Sequence, residues 1–207
     1  MQIHITQIHP LISLPGLNLL PETRKTAIQS LIRPEDKARS LAAGLLLRKF
    51  CGVTSDTQLT QNEHGKPALL NSQTHFNISH SGDYAVLAVS NREIGVDIEQ
   101  ITPPPPAVTK RVFTPAEQEW LKNEGTDEAF FYLWTAKESL MKATGKGFAL
   151  PPESFNVLPI NPSPRQILNK TWFFHWFNYN NHIICAAIQD IFLQPEIITI
   201  HPNDLLK

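Results

Sequence analysis

Four consecutive prolines near the middle of the 207-residue sequence, Pro103–Pro106, place the strongest constraint on its fold. Proline has no backbone N–H and a fixed φ angle, so the run cannot continue a strand ladder and favours a stiff, extended conformation. We interpret it as a linker between two lobes, formed by residues 1–101 and 102–207. With 42% hydrophobic residues, a chain of this length can bury a substantial core.

Helix signals occur on both sides of the prolines. Segment 34–50 opens with a proline and two acidic residues and closes with two basic ones, the charge order that the helix dipole favours. Thr114–Glu117 is a capping box that begins a helix ending near residue 123. A further helix is predicted for residues 127–144, closed by Gly145. Its residues at helical spacing are Phe130, Leu133, Trp134, Lys137, Leu140 and Met141.

Strand signals also occur in both halves. Residues 2–8 alternate apolar and polar side chains, and 172–177 and 182–188 are predicted strands around an asparagine-rich turn. Residues 84–89 and 94–99 are predicted to pair as a hairpin, because the polar residues 91–93 between them favour a turn. Each half thus offers helices and strands in a similar order, which predicts an α+β fold.

Composition narrows the classes of function. The formal net charge is −1, so no global charge favours nucleic acid or an anionic membrane as a partner. Cys51 and Cys185 lack the spacing of a zinc or redox motif, and no signal peptide or membrane-spanning stretch is evident. Phosphate-binding loops of the nucleoside-triphosphate and dinucleotide kinds are absent from the sequence as well. These features predict a cytoplasmic protein.

Asp97 and Glu99 form the first candidate site. Alternate residues of a strand point to the same face, so these two carboxylates stand side by side opposite Val96 and Ile98. Their repulsion can be relieved by a cation, and hard oxygen ligands suit Mg²⁺. A solvent-exposed strand face is the alternative interpretation.

The helix of residues 127–144 provides the second candidate site. Trp134, Glu138 and Lys142 are spaced four residues apart and therefore share one side of the helix. Lys146, between two glycines just beyond the helix, adds a flexible cation. The alternative is an ordinary solvated Glu–Lys pair beside a core tryptophan.

The third candidate is a polar segment, residues 76–82, which we predict to be a turn leading into the next strand. Ser79 and His80 suggest a hydrolase, but adjacent residues of an extended chain face opposite ways and no nucleophile elbow is present. Donors of this kind suit phosphate oxygens instead. Lys66 lies in a Gly-Lys-Pro turn upstream and provides a further cation.

Taken together, four segments resemble the ordered signature motifs of the Sfp-type 4'-phosphopantetheinyl transferases. They are Phe76–Ser81, Ile94–Glu99, Trp134–Lys142 with Gly145–Gly147, and Gly65–Pro67. The likeness covers about residues 33–155. It implies a monomer of two similar α+β lobes, each a small, mostly antiparallel sheet with helices, packed as a pseudo-dimer with coenzyme A and Mg²⁺ in the cleft between them.

The resemblance also implies roles for individual residues. Asp97, Glu99 and Glu138 match the acids that bind the metal; Glu138 further matches the general base, and Lys142 and His80 match catalytic residues. Contacts with coenzyme A are implied for Arg24, Lys25, Arg39, Ser40, Lys66, Ser79, His80, Asp97, Lys137 and Lys142. Which of the three upstream basic residues holds the 3'-phosphate is left open, as is the choice between Glu138 and a metal-bound water as the base.

The implied reaction moves phosphopantetheine from coenzyme A to a serine of an apo acyl or peptidyl carrier protein. Lys110, Arg111 and Phe113 are candidates for a carrier-binding surface, although ordinary surface and core positions explain them equally well. A catalytically silent coenzyme A-binding module and a metal-dependent pyrophosphatase are the alternative functions. The sequence does not identify the pathway that the carrier serves.

Overall fold

The computed structural model describes residues 1–189 and 195–207, which form two compact α+β units. The first unit consists of residues 1–91 together with 195–207, and the second of residues 92–189. In chain order the strands are β1 (Gln2–Gln7), β2 (Leu59–Gln61), β3 (Pro67–Leu69), β4 (His75–Ser81), β5 (Tyr84–Ser90), β6 (Ile94–Gln100), β7 (Arg165–Ile167), β8 (Lys170–Tyr179), β9 (His182–Gln189) and β10 (Glu196–Ile200). The α-helices are α1 (Glu22–Ser30), α2 (Pro34–Cys51), α3 (Pro106–Val112), α4 (Pro115–Glu124) and α5 (Asp127–Thr144).

The first unit is built on a four-stranded sheet in the order β10-β1-β5-β4. β1 runs parallel to β10 and antiparallel to β5, while β2 and β3 form a separate two-stranded ribbon. Helix α2 packs on this sheet and buries a stripe that includes Leu41 and Leu45 against Ala85 and Leu87 of β5. The strand predicted at residues 2–8 and the helix predicted at 34–50 are therefore confirmed.

The second unit is built on an antiparallel sheet in the order β6-β9-β8-β7. Helix α5 packs against β6 and β9 over a core that contains Leu133, Leu140, Trp172 and Phe174. The helices predicted from residues 114 and 127 are confirmed, including the capping box of α4 and the left-handed Gly145 after α5. The strands predicted around the asparagine-rich turn are confirmed as β8 and β9.

The predicted hairpin of residues 84–99 is wrong. β5 pairs with β1 and β4 in the first unit, whereas β6 pairs with β9 in the second. Both strands are buried along nearly their whole length, so their apolar pattern does not select a partner, and the short connection between them suggested one that does not form.

The division of the structure into two units also corrects the predicted lobe boundary. The chain passes from one unit to the other at residues 91 and 92 rather than 101 and 102, and it returns to the first unit at residue 195. The proline run lies inside the second unit, where Pro106 begins α3, because proline suits the first turn of a helix. Segment 76–82, predicted as a turn, forms most of strand β4.

Gly95 brings β6 unusually close to α5. A Cβ atom added there would lie 1.9 Å from the Ser139 carbonyl oxygen and 2.4 Å from the Ala143 nitrogen, both in the backbone of α5. Because side chains alternate along a strand, Asp97 and Glu99 share this face of β6 and point to the same side as α5. No helix within residues 1–189 and 195–207 is long and apolar enough to cross a membrane.

Candidate active site

A group of ionisable side chains lies where β6 faces α5. Asp97 is 2% exposed, and its Oδ1 accepts a hydrogen bond from Lys142 Nζ at 2.5 Å, while the lysine side chain itself is 29% exposed. Glu99 and Glu138 are partly buried beside them. The exposed-strand interpretation of the Asp97–Glu99 pair is therefore wrong for Asp97, whose carboxylate lies inside the second unit.

Glu138 has the most strongly shifted acidity in this group. The pKa of its carboxyl group is raised from 4.5 to about 7, chiefly by burial and then by the negative charge of Asp97; the ammonium of Lys142 opposes this rise, and Glu99 adds a smaller contribution to it. A carboxyl group with a pKa near 7 exchanges protons readily at neutral pH, which is the property that a general base requires. The arrangement thus offers a proton acceptor beside a cation that is partly open to solvent.

The three acids predicted to bind a metal do not form a closed cage. Over the described ranges, no three His, Cys, Asp or Glu side chains are arranged to hold a metal ion. The carboxylates of Asp97, Glu99 and Glu138 are nevertheless close enough to influence the ionisation of one another. Binding of Mg²⁺ by this set stays a prediction.

Lys137 does not fit its predicted role in binding coenzyme A. Its side chain is fully buried, and Nζ contacts Glu117 Oε2 at 2.7 Å, Pro152 O at 2.7 Å and Phe155 O at 2.6 Å. An ammonium group has three N–H donors, so these contacts use all of them and leave none for a phosphate. The sequence contained the signal, because Lys137 falls in the apolar stripe of α5 with Leu133 and Leu140.

Sequence reasoning also missed Glu117, which it treated only as part of a capping box. Glu117 accepts from the backbone N–H of Thr114 at 2.8 Å, as that motif predicts, but it also accepts from Val157 N at 2.9 Å and pairs with Lys137. Phe113 is 1% exposed and belongs to the core, which removes it from the proposed carrier surface. Lys110 and Arg111 are exposed.

In the first unit, Arg39 and His80 both act on Asp36, near the start of α2. Arg39 donates to Asp36 Oδ1 at 2.6 Å and to the carbonyl oxygen of Gly82 at 2.8 Å, which joins α2 to the turn between β4 and β5. The hydrogen bond from Arg39 lowers the pKa of Asp36, and the charge of His80 acts in the same direction. Ser79 is 6% exposed, and the alternation of β4 directs it to the face opposite His80.

Of the other predicted residues of the first unit, Arg24 lines a cavity of about 340 Å³. Gly65 and Pro67, the neighbours of Lys66, line it as well. The Arg24 guanidinium donates to the carbonyl oxygen of Ser40 at 3.3 Å, and burial lowers its pKa. Lys25 forms an ion pair with Glu22 within α1. The structure thus brings Arg24, Ser40 and the Gly-Lys-Pro turn to one region and places Lys25 in a local helix contact.

Comparison with known protein families agrees with this division of the chain. A model of the 4'-phosphopantetheinyl transferase superfamily matches residues 93–189, and a model of the 4'-phosphopantetheinyl transferase N-terminal region matches residues 14–92. The two matches meet at the position where the structure passes from its first unit to its second.

Individual relatives support the same assignment. The 4'-phosphopantetheinyl transferase Sfp of Bacillus subtilis is 37% identical over 147 residues, which are 66% of this chain and 65% of that protein. The gsp transferase of Aneurinibacillus migulanus is 36% identical over 140 residues, 64% of this chain and 59% of the relative. The L-aminoadipate-semialdehyde dehydrogenase-phosphopantetheinyl transferase of Pongo abelii is 31% identical over 182 residues, 76% and 59% of the two chains. In each case the chain spans less than two thirds of the relative.

Proposed function

Because this chain belongs to the 4'-phosphopantetheinyl transferase superfamily, we propose that it transfers 4'-phosphopantetheine from coenzyme A to a serine of an apo acyl or peptidyl carrier protein. The observation that carries the proposal is the site at β6 and α5, where burial raises the pKa of Glu138 to about 7 beside the ion pair of Asp97 and Lys142. Such a site combines a proton acceptor with a fixed cation, and both are needed for this transfer.

The reaction makes one bond and breaks one. The serine Oγ of the carrier attacks the phosphorus that bears the pantetheine arm, forming a phosphodiester, while the bond from that phosphorus to the bridging pyrophosphate oxygen breaks. Adenosine 3',5'-bisphosphate leaves with the bonding electrons. A serine hydroxyl is a poor nucleophile at neutral pH, so its proton must be removed, and we assign that step to the Glu138 carboxylate.

Lys142 is the group suited to the charge on the pyrophosphate. Its side chain is 29% exposed while its Nζ contacts Asp97, so this lysine is partly open to solvent, unlike the fully buried Lys137. Charge that develops on the leaving phosphate is stabilised by a cation already held in place, since little reorganisation is then required. Asp97 has the matching task of keeping that lysine in position.

The donor set suits Mg²⁺. This ion binds hard oxygen ligands, retains several waters, and commonly takes one or two carboxylates together with phosphate oxygens of the substrate, so a closed protein cage is not needed. Asp97, Glu99 and Glu138 are the residues that would hold it, and the negative charges of Asp97 and Glu99 add to the effect of burial in raising the pKa of Glu138. When bound, Mg²⁺ supplies charge neutralisation at the pyrophosphate.

We propose the basic and hydroxyl residues of the first unit as contacts for the phosphates of coenzyme A. Support comes from Arg39 and His80, whose charges both act on Asp36 in α2, and from the cavity that Arg24 shares with Gly65 and Pro67 of the Gly-Lys-Pro turn. The proposed set is Arg24, Lys25, Arg39, Ser40, Lys66, Ser79 and His80. A monomeric state and a cytoplasmic location stay predictions.

The deciding experiment incubates the purified protein with coenzyme A, Mg²⁺ and an apo carrier protein, and then measures the mass of the carrier. A gain of one phosphopantetheine group on serine, lost when a chelator is added, supports the proposal. Cleavage of coenzyme A with no gain on the carrier identifies a pyrophosphatase instead. Binding of coenzyme A with neither product identifies a silent binding module.

A further inference from the structure

The ion pair of Lys137 and Glu117 lies in the interior of the second unit, apart from the proposed site. Both side chains are 0% exposed. The Lys137 ammonium lies 4.5 Å from the centroid of the Phe155 ring and 6.0 Å from that of Phe113, so two aromatic rings also lie close to it. Burial lowers the pKa of Lys137, and the neighbouring Glu117 opposes that effect.

This pair connects three separate segments of the chain. Lys137 lies in the middle of α5 and donates to Pro152 O and Phe155 O in the segment after that helix. Glu117 lies in the first turn of α4 and accepts from Val157 N in the same segment. The network thus attaches one side of α5 to α4 and to residues 152–157 through contacts of 2.6 to 2.9 Å.

Stability alone does not account for a pair of this kind. Removing two charges from water is costly, and well-packed apolar residues of similar volume often stabilise a core equally well or better. The best-attested use of buried polar groups is to select one arrangement among several that are similarly packed. An apolar stripe can tolerate a small rotation or shift of a helix, whereas three short hydrogen bonds from one ammonium cannot.

Glu138 follows Lys137 directly in the sequence. Successive residues of a helix point about 100° apart, so Lys137 points towards α4 while Glu138 and Lys142 point towards the Asp97 side. Any rotation of α5 moves both sets of side chains together. The opposite side of the helix is fixed by the contact of Gly95 with the backbone of Ser139 and Ala143.

We propose that Lys137 and Glu117 are positioning residues, which set the rotation of α5 and thereby hold Glu138 and Lys142 in register with Asp97. This inference rests on the proposed transferase function. It assigns Lys137 no contact with coenzyme A, and it predicts that loss of the pair reduces the rate of transfer while leaving the binding of coenzyme A intact.

The test compares Lys137→Met with the wild-type protein under saturating coenzyme A, apo carrier and Mg²⁺. Misplacement of reacting groups by about 1 Å can cost about 10²-fold in rate, so kcat should fall by about that factor. The dissociation constant of coenzyme A, measured by calorimetry, should stay within about twofold of wild type, because the lost interaction is not made with the substrate.

Trp172→Phe is the control, since it alters the same core at β8 and loses the hydrogen bond to Ile167 O. It should leave kcat unchanged.

A second variant covers the case in which Lys137→Met does not fold. Glu117→Asp keeps both charges but withdraws the carboxylate by one methylene, and it should lower kcat by about tenfold with coenzyme A binding retained. A kcat at the wild-type value in whichever variant folds overturns the proposal, as does weakening of coenzyme A binding by more than about tenfold. If the wild-type protein transfers nothing, the proposed function has failed instead, and the two failures are thus distinct.

Discussion

Two lysines of α5, five residues apart, form ion pairs with opposite environments. The closed pair, Lys137 with Glu117, has both side chains fully buried, and every donor of its ammonium is used within the protein. The open pair, Lys142 with Asp97, buries the carboxylate to 2% exposure but leaves the lysine 29% exposed. The same residue type on one helix therefore serves two different purposes, which only its surroundings distinguish.

The negative charges beside the two pairs also differ. The closed pair balances one cation with one anion, and its remaining contacts are backbone groups and aromatic rings. Beside the open pair lie two further carboxylates, those of Glu99 and Glu138, and the pKa of Glu138 is raised chiefly by burial and then by the negative charge of Asp97. The open pair is partly exposed to solvent and lies beside further carboxylates, so we associate chemistry with the open pair and precise placement with the closed one.

Glu138→Gln provides the largest expected effect. The substitution keeps the shape of the side chain but removes the proton acceptor, and general bases contribute about 10² to 10⁴-fold to rates. The initial rate of carrier modification, followed by mass spectrometry, should fall within that range while the fold and the closed pair persist. A rate near that of wild type would show that another group, such as a metal-bound water, takes the serine proton.

Much of this comparison is visible in the sequence. The capping box of α4, the glycine that closes α5 and the four-residue spacing of Glu138 and Lys142 are local signals, and local signals predicted these elements correctly. Strand alternation likewise placed Asp97 and Glu99 on one face. That this face packs against helix α5 could not be predicted in the same way, because the residues in contact are more than 40 positions apart in the sequence and no local pattern specifies such a pairing.

The errors have the same origin. Nearness in sequence predicts a hairpin between β5 and β6, but the partner of β6 is β9. The motif that Lys137 shares with Glu138 predicts a coenzyme A ligand, but the lysine is buried in the core. Its position in an apolar stripe indicated burial, but the required counter-ion, Glu117, lies on another helix and could not be identified from spacing alone.

Lys142→Met tests whether the open pair acts on the substrate. The variant removes a cation beside the proposed pyrophosphate position, and loss of one preorganised electrostatic group costs about 10²-fold in kcat. In contrast with Lys137→Met, the dissociation constant of coenzyme A should also rise, because Lys142 is proposed to contact its phosphates. The two methionine variants, measured side by side by calorimetry and mass spectrometry, therefore separate the two pairs. Equal affinities for coenzyme A would remove the distinction.

Gly95→Ala should disturb the open pair while leaving the closed pair in place. The added methyl group would overlap the backbone of α5 at Ser139 and Ala143, which cannot yield as the end of a side chain can. We expect the free energy of unfolding to fall by about 3 kcal/mol, as for overpacked cores, measured by urea denaturation. Ala88→Gly on β5, a strand of the first unit, is a control for the glycine–alanine exchange in a buried strand. A Gly95→Ala variant as stable as wild type would mean that α5 and β6 can separate at little cost.

The smallest expected effect concerns the stability of the open site itself. The pKa of Glu138 in the folded protein, about 7, lies above its ordinary value of 4.5, so ionisation of this group opposes folding. The penalty is absent below pH 4.5, grows between pH 4.5 and 7, and is complete above pH 7. Glu138→Gln should therefore raise the free energy of unfolding by roughly 1–2 kcal/mol at pH 8, in the presence of a chelator, and change it little at pH 4.

Lys137→Met, in contrast, should lower the free energy of unfolding at both pH values, because it leaves Glu117 buried without its counter-ion. Urea denaturation of both variants at the two pH values measures this difference, and a loss of stability in Glu138→Gln at pH 8 would contradict the view that ionisation of Glu138 opposes folding.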